Sequence, residues 1–382
     1  VIYYLLYPLR TMSTHLSWLN VLRYIPFRTI MATLTAMVLA FAMGPWFIRR
    51  LQEKQIGQVV RDDGPQSHLS KRGTPTMGGS LILFTMVVPT VLWADPTNTF
   101  VWLTLIVTVC YGVIGFLDDY LKIKHRNSEG LAGRYKLLGQ FLVATLVVGY
   151  LFLGKGSFLP ADWLQHRDHL ALPFRAYRHA IVLPIAAYIA FGTLVVVATS
   201  NAVNLTDGLD GLAIGPVIIN AATYLILAYV TGLTLGNFNV AQYLDIPPLH
   251  STGELAVLCG AMIGGGVGFL WYNTYPAQVF MGDVGALALG GTLGMLALVT
   301  KNELLSVLLG GVFVVEIGSV VIQTSYFQYT KRTTGTGKRI FLMAPIHHHF
   351  EKKGWPEPKV IVRFWIISIM LALISLSNLK LR

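Results

Sequence analysis

Apolar runs of about 20 residues, the length a helix needs to cross the hydrocarbon core of a bilayer, recur from one end of the chain to the other. Ten stretches qualify, near residues 27–48, 77–94, 99–117, 137–154, 181–199, 211–231, 254–271, 284–300, 304–329 and 360–378. Trp46, Trp93, Trp102, Trp271 and Trp365 fall near the ends of these runs, where an indole sits between apolar core and headgroups. The pattern predicts an all-α polytopic integral membrane protein of about ten transmembrane helices. Residues 27–382 would form a single transmembrane domain behind an interfacial lead-in over 1–26, because Val1 to Leu9 is too short to span and the stretch to Arg28 is mixed. No basic segment or small-residue cleavage pattern suggests a cleaved signal peptide.

Composition agrees. Of 382 residues 54% are hydrophobic and only 12% charged, with a mean hydropathy of +0.59, which excludes a soluble globular enzyme as well as disordered and fibrous classes. The formal charge of +11, from 29 Lys+Arg against 18 Asp+Glu, would point to nucleic acid in a soluble chain. Here it collects in alternate loops: Arg49, Arg50, Lys54, Arg61, Lys71 and Arg72; then Lys122, Lys124, Arg126, Arg134 and Lys136; then Lys331, Arg332, Lys338, Arg339, Lys352, Lys353 and Lys359. Basic loops stay cytoplasmic, so odd-numbered loops face the cytoplasm, both termini are periplasmic, and no nucleic-acid partner is expected. Cys110 and Cys259 lie inside apolar runs, in no metal-ligand spacing.

The polar clusters also fall at odd-numbered loops, which implies one polar site at the cytoplasmic face. Asp118 and Asp119 end an apolar run; adjacent carboxylates are useful when a divalent cation or a proton-bearing substrate sits between them. A solvated helix end paired with Lys122 and Lys124 is the plainer reading of the same residues. Asn201, Asn204, Asp207 and Asp210 recur every three residues, so a helical portion gathers four oxygen-rich side chains suited to Mg²⁺ and sugar hydroxyls. Gly208 and Gly211 permit close approach or a helix break. Asp283 opens a span, where it would also serve as a helix N-terminal anion. Before it come Asn273, Tyr275 and Phe280, offering an amide and a ring that can stack on a nucleobase. His347, His348 and His349 are successive and point in different directions; as donors they suit phosphate oxygens. Glu316 lies mid-span and is a functional candidate by default, but Gly318 and Ser319 suggest a helix contact that satisfies it, which keeps it out of the site. No Walker-type phosphate loop occurs. The set describes phosphoryl transfer from a nucleotide-activated substrate to a lipid.

Lys71-Arg-Gly-Thr-Pro-Thr-Met-Gly-Gly79, Gly115-Phe-Leu-Asp-Asp-Tyr120, Asn201 to Gly211, Asn273 to Asp283 and Ala344-Pro-Ile-His-His-His-Phe350 closely resemble motifs of the polyprenyl-phosphate N-acetylhexosamine-1-phosphate transferases. The resemblance covers nearly the whole chain after about residue 25, and within the family it is to the branch that uses a muramoyl-pentapeptide donor. It implies a Mg²⁺-dependent phosphoglycosyl transferase that moves phospho-MurNAc-pentapeptide from UDP-MurNAc-pentapeptide to undecaprenyl phosphate. The products would be lipid I and UMP, in the first membrane step of peptidoglycan synthesis at the bacterial inner membrane. By the same resemblance Asp118, Asp119, Asp283, His347 and His348 are catalytic, and Asp283, with Asp118 and Asp119, binds the metal. Lys71, Thr76, Lys122, Asn201, Asn204, Asp207, Gly208, Leu209, Asp210, Asn273, Phe280 and His349 are implied to bind substrate, with Phe280 on uracil. A homodimer and sensitivity to nucleoside antibiotics are further expectations. The rival readings are a sibling transferase using UDP-GlcNAc, disfavoured by the stretch from Ala344 to Trp355, and a secondary transporter, disfavoured because the polar motifs cluster on one face rather than at the midplane.

Overall fold

A computed structural model describes residues 1–12, 14–53, 73–125, 130–156, 159–235 and 238–380. Lys71, together with Lys54, Arg61, Arg72 and Arg126 of the basic loops, lies outside the described residues. Each predicted apolar run coincides with a helix: α1 (Ile25–Glu53), α2 (Gly79–Trp93), α3 (Thr99–His125), α4 (Gly133–Leu153), α5 (Ile185–Thr206), α6 (Ile214–Gly232), α7 (Leu255–Asn273), α8 (Gly282–Val299), α9 (Gly311–Thr334) and α10 (Glu357–Ser377). Among the described residues, eight helices are long and apolar enough to cross a membrane. The other two runs fall short for separate reasons. At 15 residues α2 rises about 22 Å, less than a hydrocarbon core. The run over 304–329 breaks at Gly310 into Leu305–Leu309 and α9, and α9 carries Glu316 and Gln323. The protein is an all-α, multi-pass membrane protein.

Boundaries depart from the apolar runs where a backbone rule intervenes. Pro184 caps α5, so Ile181–Val182, inside the predicted span, instead pair antiparallel with His169–Leu170. Pro356 caps α10 and Pro358 sits in its first turn, positions that need no amide donor. The lead-in folds as short helical turns, Ile2–Leu6, Tyr7–Thr11 and Thr14–Arg23, with Leu19 and Leu22 buried.

Small residues set how closely the helices approach, since apolar side chains gain nothing by leaving lipid and packing must come from contact. Along α1 the buried face reads Ala32, Ala36, Ala40, Gly44, and it meets Gly260, Gly264 and Gly268 of α7: a Cβ on Gly264 would strike the Thr33 carbonyl and the Ala36 methyl. The most enclosed helix is α8, where every residue from Val284 to Val299 is buried. Gly290 lies on the backbone of α5 at Thr199 and Ser200, and Gly291 lies on the ring of Tyr111 in α3. Two polar contacts cross between helices inside the bundle: the hydroxyls of Thr108 and Thr292 are 2.6 Å apart, and Ser200 donates to the Leu287 carbonyl at 2.9 Å.

Opposite the polar clusters, one ion pair ties three helices. Arg28 of α1 makes two contacts with Glu254, at 2.6 and 2.5 Å, just before α7. The same carboxylate accepts from the Asp95 amide at 3.0 Å, beyond the end of α2. Arg28 is 2% exposed, so removing its partner would leave a buried charge uncompensated. Glu254→Ala is expected to destabilise the fold by about 3–5 kcal/mol, read as a lower thermal unfolding midpoint in detergent.

Candidate functional site

Asp118 and Asp119 sit near the C-terminal end of α3, and Asp283 is the second residue of α8. Two glycines make their approach feasible. A Cβ on Gly115, one turn before Asp118, would meet the Asp283 carbonyl group, so α3 and the start of α8 touch through backbone. Gly282 adopts φ +71°, a left-handed conformation that glycine takes without strain, and lies beside the carboxylate of Asp119 and the hydroxyl of Thr76. One carboxylate oxygen each from Asp118, Asp119 and Asp283 falls within 4.8 Å of the others. Asp118 and Asp119 are each 3% exposed.

Three carboxylates this close repel unless cations or donors stand among them. The Lys122 ammonium lies 2.5 Å from Asp118, 2.9 Å from Asp283 and 3.5 Å from Asp119. Lys136, in the first turn of α4, lies 2.7 Å from Asp283. Amides complete the shell: Asn204 Nδ2 donates to Asp283 at 2.6 Å, the Leu131 amide to Asp118 at 2.9 Å and the Val284 amide to Asp119 at 3.4 Å. Three hard oxygen donors this close together are a ligand set of the kind a divalent cation takes.

The Asn201 to Gly211 segment runs off the end of α5. Asn201 donates to Gln140 of α4 at 2.6 Å, while Asn204, three residues on, reaches Asp283. Asp207 follows the last helical turn and accepts from the Gly282 amide; burial, with Asp283 and Asp119 nearby, pushes its carboxyl up to about 8. A carboxyl that keeps its proton near neutral pH can donate as well as accept. Asp210 and Asn273 hold loops together: Asp210 accepts from the Ala277 amide at 2.9 Å, and Asn273 accepts from Gly211 at 3.0 Å and donates to the Val279 carbonyl at 2.9 Å. Leu209 is buried with Leu212, Val360 and Phe364. Half-buried Phe280 is fixed through its backbone, donating to Pro75 and accepting from Gly78, both at 2.8 Å, which sets the segment bearing Thr76 against the start of α8.

The three histidines, on the short helix Ile346–Lys352, diverge as their adjacency requires. His347 is fully buried with Nδ1 3.0 Å from Glu316, and its ring abuts Gly208, where a Cβ would strike Nε2. His348 turns to Glu351 at 2.7 Å, and His349 accepts from the Leu342 amide at 3.1 Å. The structure thus gathers Thr76, Asp118, Asp119, Lys122, Asn204, Asp207 and Asp283, with His347 behind Gly208. Two residues that sequence reasoning passed over join them. Lys136 was legible only as loop charge. Glu316 was assigned to a helix contact at Gly318 and Ser319, yet a Cβ at Gly318 would meet nothing within 4 Å and the carboxylate is taken by His347; its intramembrane charge was the signal.

Fold and site define a multi-pass membrane protein with an acidic, lysine-bridged centre at one end of its helix bundle. Residues 101–301 match the family described as glycosyl transferase family 4. Over the full length of both chains the protein is 66% identical to the phospho-N-acetylmuramoyl-pentapeptide-transferase of Sorangium cellulosum (strain So ce56). The like-named proteins of Syntrophus aciditrophicus (strain SB) and Geobacter sp. (strain M21) are 54% and 55% identical, again over the whole of each chain. The chain belongs to the phospho-N-acetylmuramoyl-pentapeptide-transferase family within glycosyl transferase family 4.

Because α3 and α8 meet through backbone at Gly115, Gly115→Val is expected to cost about 1–3 kcal/mol of overpacking. Thermal unfolding in detergent measures it, with an added methylene at outward-facing Val113 as the control; the Val113→Leu variant should unfold with the parent.

Proposed function

We propose that the protein transfers phospho-MurNAc-pentapeptide from UDP-MurNAc-pentapeptide to undecaprenyl phosphate, leaving lipid I and releasing UMP, at the cytoplasmic face of the bacterial inner membrane. The reading is carried by the Asp118, Asp119 and Asp283 cluster with its two lysines, in a chain so similar from end to end to proteins of that activity. The basic odd-numbered loops support a cytoplasmic site and periplasmic termini.

An anionic lipid phosphate must approach an anionic diphosphate, so repulsion is the barrier that the site has to lower. A lipid phosphate oxygen attacks the sugar-bearing phosphorus; the bond from that phosphorus to the bridging oxygen breaks, and UMP leaves with that oxygen. Asp118, Asp119 and Asp283 would hold Mg²⁺, which when bound supplies charge neutralisation on the diphosphate. Lys122 and Lys136 add positive charge at the same point, and Asp118 orients the attacking phosphate. Asn204 fixes Asp283; Phe280 offers its ring to uracil, and Asp207 a donor to the nucleotide-sugar.

The test is UMP release by the purified, lipid-supplemented protein with undecaprenyl phosphate and Mg²⁺. Release is expected with UDP-MurNAc-pentapeptide, none without lipid, and none after chelation. Release with UDP-GlcNAc alone would instead assign the sibling activity. Asp283→Asn should lower turnover by about 10²-fold or more while UDP binding, followed by calorimetry, survives.

A further inference from the structure

Glu316 and His347 form a pair that the reaction as proposed does not use. Both side chains are fully buried, Glu316 in the second turn of α9 and His347 on the short helix beyond it. With Glu316 as a carboxylate, which only accepts, the 3.0 Å contact is a hydrogen bond when the ring proton is on Nδ1. Nε2 then carries the lone pair. It is buried and has no protein partner among the described residues, and it lies against Gly208, in the turn that also carries Asp207. The neighbouring hydroxyl does not compete for the carboxylate: Ser319 Oγ donates to the Glu316 backbone carbonyl at 2.7 Å.

Structural burial alone accounts poorly for this arrangement. Packing would be served by an apolar pair, whereas here a carboxylate and an imidazole are both enclosed and one polar atom of each, Glu316 Oε1 and His347 Nε2, is left unsatisfied. A carboxylate behind a histidine fixes which nitrogen is protonated and how the ring is turned.

We infer that Glu316 is a positioning residue that acts on transfer through His347, holding the imidazole in the Nδ1–H tautomer with Nε2 turned to the Asp207–Gly208 turn. Nε2 is therefore the ring atom left for the reaction, where it accepts a hydrogen bond. This rests on the transferase reading for its kinetic consequence, but the tautomer itself does not.

The experiment uses the full chain in detergent micelles. ¹⁵N-histidine NMR, with the His347 signal identified by its loss in His347→Asn, should show a protonated Nδ1 and a bare Nε2 in the parent protein and a mixture of tautomers in Glu316→Gln. Under the UMP-release assay, Glu316→Gln should lower kcat about 10–100-fold with affinity for UDP unchanged, and Glu316→Asp should recover part of the loss. The double variant Glu316→Gln/His347→Asn should be no slower than His347→Asn alone, because the two act as one unit. A protonated Nε2 with bare Nδ1 in the parent protein overturns the inference, as does a double variant whose loss is the product of the single losses. A parent protein that releases no UMP with any donor defeats the transferase reading instead, and the NMR result still decides the tautomer.

Discussion

Mutual repulsion among three carboxylates is the constraint on which the site depends. Asp118, Asp119 and Asp283 come from two helices, yet oxygens from all three lie within 4.8 Å, inside a protein where charge is poorly screened. The cluster exists because Lys122 reaches all three and Lys136 reinforces one. Each cation arrives by a different route: Lys122 from the turn of α3 after the carboxylates, Lys136 from the start of α4. Three helix ends therefore have to converge on one point, and the connections between them are arranged accordingly.

Convergence in turn depends on absent side chains. Gly115 lets α3 meet the backbone of α8, and Gly290 and Gly291 let α8 sit on α5 and α3 over its length. With Val284 to Val299 all buried, α8 is the post against which the other helices are set, and Asp283 stands at its end. A small displacement of α8 would move Asp283 relative to Asp118 and Asp119 while leaving every chemical group present.

Much of this was legible in the sequence. Apolar runs located every long helix because a span is fixed by length and apolarity, quantities that need no tertiary information. They misjudged ends where proline or glycine overrode hydropathy, as at Pro184 and Gly310. The adjacent aspartates and the three-residue spacing of Asn201, Asn204 and Asp207 stand out because polar side chains are conspicuous among apolar residues. Lys136 did not, since one basic residue in a basic loop looks like its neighbours. The partner of Glu316 was hidden for another reason: it lies 31 residues away, across a turn and a break between helices, and no local pattern carries that distance.

The faces of α1 hold two different vocabularies. Ala32, Ala36, Ala40 and Gly44 are buried on the side of α1 that meets α7, while Ile30, Leu34, Val38 and Phe41 look outward. Outward positions can exchange one apolar residue for another with little effect, since lipid adapts its shape to whatever it meets. On the inward side the contact is close enough that a Cβ on Gly264 or Gly268 of α7 would strike the methyls of Ala36 and Ala40. Tolerance of substitution along this helix is thus expected on one side, where composition can change while the internal geometry stays the same.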